Sequence, residues 1–120
     1  MRRILAVDDS ASMRQIVSQA LKGAGYEVIE ASDGDEALDF ARRETVDLVI
    51  ADVNMPNMDG ITLIRELRQL AAYRLTPLII LTTEASPEKK QQGKSAGATG
   101  WVVKPFNPER MLAAISKVLG

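Results

Sequence analysis

Three runs of four apolar residues, Ile4-Leu5-Ala6-Val7, Leu48-Val49-Ile50-Ala51 and Leu78-Ile79-Ile80-Leu81, lie along the chain with no polar residue inside them. Each is too short for a helix and lacks alternation, which predicts a strand buried on both faces of a sheet. Val28-Ile29 and Trp101-Val102-Val103 add two shorter strands. Between these runs the apolar positions fall into helical spacing. Ser12-Met13-Arg14-Gln15 has capping-box spacing, and Met13, Ile16, Val17, Ala20 and Leu21 follow on one face until Gly23 and Gly25 end the helix. Asp33 with Glu36 caps a second helix that turns Ala37, Leu38 and Ala41 inward, and a third runs from Ile61 through Ile64 and Leu67 to Leu70 or Ala71. Ser86-Pro87 opens a fourth helix, but Lys89 to Ser95 offers almost nothing apolar and places Gly93 mid-helix, so this helix is expected to be the least stable. Asn107-Pro108 opens the last, with Met111, Leu112, Ile115, Val118 and Leu119 on one face.

Strands alternating with helices predict a single (βα)5 domain over residues 1–120, an α/β fold in which helices cover both faces of a five-stranded parallel sheet. All strand C-termini of such a sheet lie along one edge, the edge where ligands bind. Asp8, Asp9, Asp52, Thr82, Thr83 and Lys104, each just after an apolar run, are thereby brought together.

Composition narrows what that edge can do. An apolar fraction of 46% with 26% charged residues is ordinary for a globular protein, and 120 residues suffice for one core. The net charge of -1, with Lys and Arg scattered, argues against wrapping nucleic acid. Cysteine and histidine are absent, which excludes disulfides, thiolate or imidazole metal sites and Cys nucleophiles. Met1-Arg2-Arg3 and the short run behind it are too short for a signal peptide or membrane span, so a cytoplasmic protein is expected.

Two carboxylates about 4 Å apart repel by roughly 4 kcal/mol at an effective dielectric of 20, so Asp8, Asp9 and Asp52 cannot all ionise together cheaply without a cation. Oxygen-only ligands in a solvent-open site favour Mg2+ that keeps some of its waters. Lys104 adds a movable point charge and Thr82 a hydroxyl donor, both suited to phosphoryl oxygens. A carboxylate among these groups can accept a phosphoryl group as an acyl phosphate. Taken singly, each residue has a plainer reading: an N-cap for Asp8 or Asp9, strand-end hydrogen bonding for Thr82 and Thr83, a solvated surface lysine for Lys104, partly buried packing for Trp101. Their conjunction favours the functional reading.

Val7-Asp8-Asp9, the run DVNMPNMDG from Asp52 to Gly60, Leu81-Thr82-Thr83-Glu84-Ala85 and WVVKPF from Trp101 to Phe106 together resemble the receiver domains of two-component signalling, most closely the stand-alone chemotaxis type. The resemblance runs end to end. It implies the flavodoxin-like strand order 2-1-3-4-5 and Asp52 as the phosphoacceptor, forming a 4-aspartylphosphate from the phosphohistidine of a histidine kinase. Asp9 and Asp52 would ligate Mg2+ directly with the Asn54 backbone carbonyl, and Asp8 mostly through water. Lys104 would pair with the phosphoryl group, aimed by a cis peptide before Pro105. Thr82 would swing to the phosphoryl oxygens and vacate space for the aromatic ring of Trp101, while Asn54 and Glu84 tune water attack on the acyl phosphate. Such a chain is a signalling phosphoacceptor with its own phosphorylation and dephosphorylation chemistry rather than an enzyme. The implied output is a monomer whose fourth helix, last strand and last helix bind a downstream target protein, in chemotaxis or motility-type signalling. Should Gly120 close the full protein, no DNA-binding output domain follows.

Three departures from the pattern stand out. Trp101 replaces a more usual tyrosine or phenylalanine, so a bulkier ring must find room inward; Val53 stands where some chemotaxis members have tryptophan; and Lys90 and Gln91 stand where the best-known member has apolar side chains. A phosphate sink that drains a shared kinase without an effector of its own is the alternative within signalling. An aspartate-nucleophile phosphatase is the remote one, because Asp8-Asp9-Ser10-Ala11-Ser12 lacks the expected D-x-D.

Overall fold

A computed structural model describes residues 2–105 and 107–119, so Phe106 of the WVVKPF run lies outside the described residues, as do Met1 and Gly120. The apolar runs form β1 (Arg3–Val7), β2 (Glu27–Ala31), β3 (Leu48–Ala51), β4 (Leu78–Thr82) and β5 (Gly100–Val103). The helices are α1 (Ala11–Gly23), α2 (Gly34–Arg43), α3 (Gly60–Arg68), α4 (Pro87–Ala96) and α5 (Pro108–Leu119), with one 3-10 turn at Ala71–Tyr73. All strand pairs are parallel and the order is β2-β1-β3-β4-β5, as the resemblance implies.

Because side chains alternate along a strand, each buried run feeds two cores. Leu5, Val7, Val49, Ala51, Leu78 and Ile80 pack with Leu38, Leu63, Ile64 and Leu67 of α2 and α3. Ile4, Ala6, Leu48, Ile50, Ile79 and Leu81 pack with Val17 and Leu21 of α1 and Met111 and Ile115 of α5. The three central strands are consequently almost wholly buried, and their register leaves Val7, Ala51 and Thr82 close to one rim.

Several local expectations are corrected. The N-cap of α1 is Ser10, not Ser12: the Met13 amide donates to the Ser10 hydroxyl at 3.2 Å, and Ser12 lies within the helix. Ile16 is 50% exposed rather than inward, since Val17 and Leu21 already fill the stripe facing the sheet. α3 stops at Arg68, short of Leu70, and the chain turns there into the 3-10 segment that delivers Tyr73 to the core. The Tyr73 hydroxyl donates to the Ala41 and Glu44 carbonyls at 2.9 and 2.8 Å, which fastens this connection to the end of α2. Tyr73→Phe is therefore expected to lower stability by about 1 kcal/mol, read as a reduced urea midpoint at unchanged m-value.

Asp33 caps α2 as expected, its Oδ1 accepting the Glu36 amide at 2.8 Å. That bond, followed by one from Asn57, holds its carboxyl below the usual value of 3.8. A depressed carboxyl contributes stability that is fully present above 3.8 and lost as pH falls through the lower folded value. Asp33→Ser keeps a cap and removes the charge, so its stability curve is expected to fall less steeply at the acid end, as measured by urea midpoints between pH 2 and 5.

Candidate phosphoacceptor site

Two strand exits and one loop meet at the C-terminal rim of the sheet. Asp8 follows β1 directly; its amide donates to the Ala31 carbonyl at 3.1 Å, and its Oδ1 accepts the Ser10 amide at 2.9 Å. Asp52 follows β3; its amide donates to the Val7 carbonyl at 3.0 Å, and its Oδ1 accepts the Val53 amide at 2.7 Å. The remaining oxygen of each carboxylate faces Lys104, whose Nζ donates to Asp8 Oδ2 at 2.9 Å and to Asp52 Oδ2 at 3.0 Å. Lys104 stands at this rim because its amide continues the β4–β5 pairing, donating to the Thr82 carbonyl at 2.7 Å; the Lys104–Pro105 peptide is cis.

Only 8% of the Lys104 side chain is exposed, with 9% for Asp8 and 13% for Asp52. The plain surface-lysine reading is thereby excluded, and the charge pictured as movable is held between two carboxylates. Burial lowers the Lys104 pKa, but the hydrogen bonds and charges of Asp8 and Asp52 outweigh it and leave the amine above the usual lysine value. Lys104 is thus a protonated counter-ion at any physiological pH.

One ammonium does not balance the cluster. Asp8, Asp9 and Asp52 each place a carboxylate oxygen so that all three lie within 4.8 Å of one another. Three carboxylates and one ammonium leave a formal charge of -2, which a divalent cation would neutralise. The donors are all oxygens, and Asp9 is exposed, so a hard ion could retain water on that side. The donor set fits Mg2+, as expected. Asn54, the fourth residue assigned to the ion, is also exposed on the loop that leaves Asp52.

Thr82 and Trp101, the two residues assigned to the switch, are joined through the backbone of one residue, Glu84. Thr82 ends β4 fully buried, and its Oγ1 accepts the Glu84 amide at 3.2 Å. The Trp101 indole donates to the carbonyl of the same Glu84 at 3.0 Å. Room for the larger ring comes from Gly93: a Cβ there would stand 2.6 Å from Trp101 Cζ3. The mid-helix glycine expected only to weaken α4 is the seat of the indole. Thr83 is exposed and Val53 buried.

Other residues support the site without a role assigned to them from the sequence, where Gly60 stands only as the end of the DVNMPNMDG run and Arg14 only within the capping-box stretch. Arg14 Nη1 donates to the Asp8 carbonyl at 2.6 Å, which a basic residue in the first helical turn could have suggested. Gly60 lets the loop return against β3, since a Cβ there would fall on the Asp52 carbonyl; the Asp-Gly dipeptide was its signal. Arg68 carried no signal, yet its guanidinium donates to the carbonyls of Gly97, Tyr73 and Thr76, closing the C-terminal end of α4 onto α3.

The family model described as the response regulator receiver domain matches residues 4–116. A chemotaxis protein CheY homolog of Campylobacter jejuni is 37% identical over 120 residues, covering 98% of this chain and 92% of the relative. The chemotaxis protein CheY4 of Vibrio cholerae has a solved structure with a TM-score of 0.94 and 54% identity, covering 98% of both chains. The receiver domain of a Pseudomonas aeruginosa sensor histidine kinase, solved with a magnesium ion in its active-site cleft, has a TM-score of 0.93 and 28% identity, covering 99% of this chain and 98% of that one. The chain spans about half the length of the curated transcriptional regulators that it matches. With its fold and nearly all of its length in agreement, the chain belongs to the response regulator receiver domain family and is CheY-like.

Proposed function

We propose that the chain is a phosphoacceptor: Asp52 takes a phosphoryl group from the phosphohistidine of a histidine kinase and thereby switches a protein-binding face. The observation that carries this reading is the buried Lys104 ammonium bridging Asp8 and Asp52 with the Asp9 carboxylate alongside. In the transfer, an Asp52 carboxylate oxygen forms a bond to phosphorus as the N–P bond breaks, and the electron pair returns to the imidazole nitrogen. Asp8, Asp9, Asp52 and the Asn54 carbonyl are the residues that would hold Mg2+; when bound, the ion offsets the charge of the carboxylates and of the phosphoryl oxygens. A magnesium ion in the cleft of the Pseudomonas relative supports the assignment.

Lys104, already protonated and close to Asp52, turns its ammonium from the carboxylate to the new phosphoryl oxygens. Thr82 donates its hydroxyl to the same group. That movement releases the Glu84 amide, and because Trp101 holds the Glu84 carbonyl, the change reaches β5 and α4 through a single residue. Moving such an equilibrium from 1:99 to 99:1 needs about 5.5 kcal/mol, within reach of a few charge-assisted bonds to a dianion. α4 is suited to yield, since Gly93 and Ala96 are its only buried residues among those described. The output face is α4, β5 and α5, and the partner a downstream target protein, in a chemotaxis-type pathway.

Asn54 and Glu84 are assigned to the control of phosphoryl lifetime through water, so Asn54→Ala and Glu84→Ala are each expected to change the decay rate. The reading as a whole is tested with the single tryptophan. Addition of Mg2+ and then of a small phosphodonor is expected to change Trp101 fluorescence in two steps, and Asp52→Asn to abolish the second. A second step that survives Asp52→Asn would reject Asp52 as the acceptor.

A further inference from the structure

The loop between β3 and α3 begins with Asp52 and is tied at its far side to α2, an element with no residue in the acidic cluster. Asp33 uses its two carboxylate oxygens for different tasks. Oδ1 accepts the Glu36 amide and caps α2, whereas Oδ2 accepts the Asn57 side-chain amide at 2.7 Å. Asn57 stands in the left-handed region at φ 68, so its side chain is presented by a turn that few residues adopt. One residue further on, the Gly34 amide donates to the Met58 carbonyl at 3.2 Å, and a Cβ on Gly34 would come within 2.6 Å of that oxygen. Capping alone does not call for this arrangement, because serine caps a helix as well as aspartate and offers one oxygen.

The loop's own bonds are few: two hold its ends, and the Met58 amide donates to the Pro56 carbonyl at 2.7 Å in its outer half. The Val53 amide closes on Asp52 Oδ1, and the Gly60 amide donates to the Val53 carbonyl at 2.9 Å. Between these ends, Asn54 and Pro56 are exposed and Met55 only half-buried. Bonds from α2 to Asn57 and Met58 therefore fix the outer half of a loop whose inner half carries Asp52. Side chains that orient metal ligands from outside act in this way, by removing alternative ligand positions.

We propose that Asp33 and Asn57 are positioning residues for the metal site: their bond across α2 and the β3–α3 loop sets how tightly the Asp8, Asp9 and Asp52 cluster holds Mg2+. This rests on the reading of that cluster as a Mg2+ site. The Asp33 carboxylate itself need not approach the ion, because it acts by limiting where the loop can go.

The test titrates Mg2+ calorimetrically into the wild-type chain, Asp33→Ser, Asn57→Gly, the pair of both, and the exchanged pair Asp33→Asn with Asn57→Asp. Asp33→Ser keeps the α2 cap, and Asn57→Gly keeps the left-handed turn, so each removes the bond with little cost to the fold. Each is expected to weaken Mg2+ binding about tenfold, the low end for groups that orient metal ligands, and the pair no more than either alone. In the exchanged pair the asparagine at 33 donates to the aspartate at 57, and recovery of most of the lost affinity is expected, with Asn57→Asp alone measured to subtract the effect of its charge. An affinity unchanged in Asp33→Ser overturns the inference, as does a loss that follows the melting temperature and is not recovered by the exchange. Absence of any Mg2+ binding by the wild-type chain would overturn the metal reading itself, an outcome distinct from either.

Discussion

Lys104→Met is expected to destabilise the metal-free protein by about 3 kcal/mol at neutral pH, the lower end for removing one partner of a buried ion pair. The methionine matches most of the volume of the stem, so little packing is lost. What remains are Asp8 and Asp52, mostly buried, with Asp9 beside them and their ammonium partner gone, while the nearby Arg14 guanidinium bonds the Asp8 backbone carbonyl and is paired with Glu30. Leaving charges unpaired in a place of low dielectric is far costlier than the wild-type pairing is favourable. Two further results are expected from the same cause. Mg2+ should stabilise the variant more than the wild type, because the ion then supplies all of the neutralisation. The alkaline limb should also change. The raised Lys104 value in the folded state means that its contribution is fully present below 10.5 and lost as pH rises through the higher folded value. Lys104→Met lacks that loss. Urea titrations with and without Mg2+, at pH 7 and above 10, measure all three; a variant as stable as wild type without the ion would contradict the ion-pair account.

Gly93→Ala is expected to change sign with its partner. In an exposed helix interior, alanine is better than glycine by about 1 kcal/mol. Here the added methyl would meet Trp101 Cζ3 at 2.6 Å and Cε3 at 3.0 Å, so the ring must move or α4 must lift. Overpacking of this kind costs typically 1–3 kcal/mol, which outweighs the propensity gain. The indole bond to the Glu84 carbonyl is strained at the same time. With Trp101→Tyr, which removes the outer edge of the bicyclic ring, the same alanine should stabilise by about 1 kcal/mol. A double-mutant cycle by urea unfolding tests this, with tryptophan emission of Gly93→Ala as the local reading. Additive effects would mean that Gly93 and Trp101 do not share the space.

The architecture and the acidic rim were legible in the sequence because both rest on patterns that packing cannot easily override. A run such as Leu48-Val49-Ile50-Ala51 has no stable place except between two helical layers, and an aspartate directly after it must lie at the rim. What escaped the sequence lies in choices between nearly equal local options. Ser10 and Ser12 are both good caps two residues apart, and only the docking of α1 selects Ser10. Ile16 fits the helical period, yet the groove that Val17 and Leu21 occupy leaves it no room. Gly93 argues against a helix by propensity alone, and its reason, an indole from β5, is tertiary. The state of Lys104 belongs to the same class. Its arrival at the acidic rim followed from topology, but its burial between Asp8 and Asp52 depends on side-chain geometry that spacing does not encode. The bond from Asp33 to Asn57 spans two loops and leaves no local trace.

The central claim is that Asp52 accepts the phosphoryl group, and intact-mass spectrometry after incubation with Mg2+ and a small phosphodonor addresses it most directly. The account predicts an added mass of one phosphoryl group, mapped to Asp52 in the peptide that contains it and absent in Asp52→Asn. No adduct on the wild-type chain under these conditions, or an adduct mapped to Asp8 or Asp9, would contradict it.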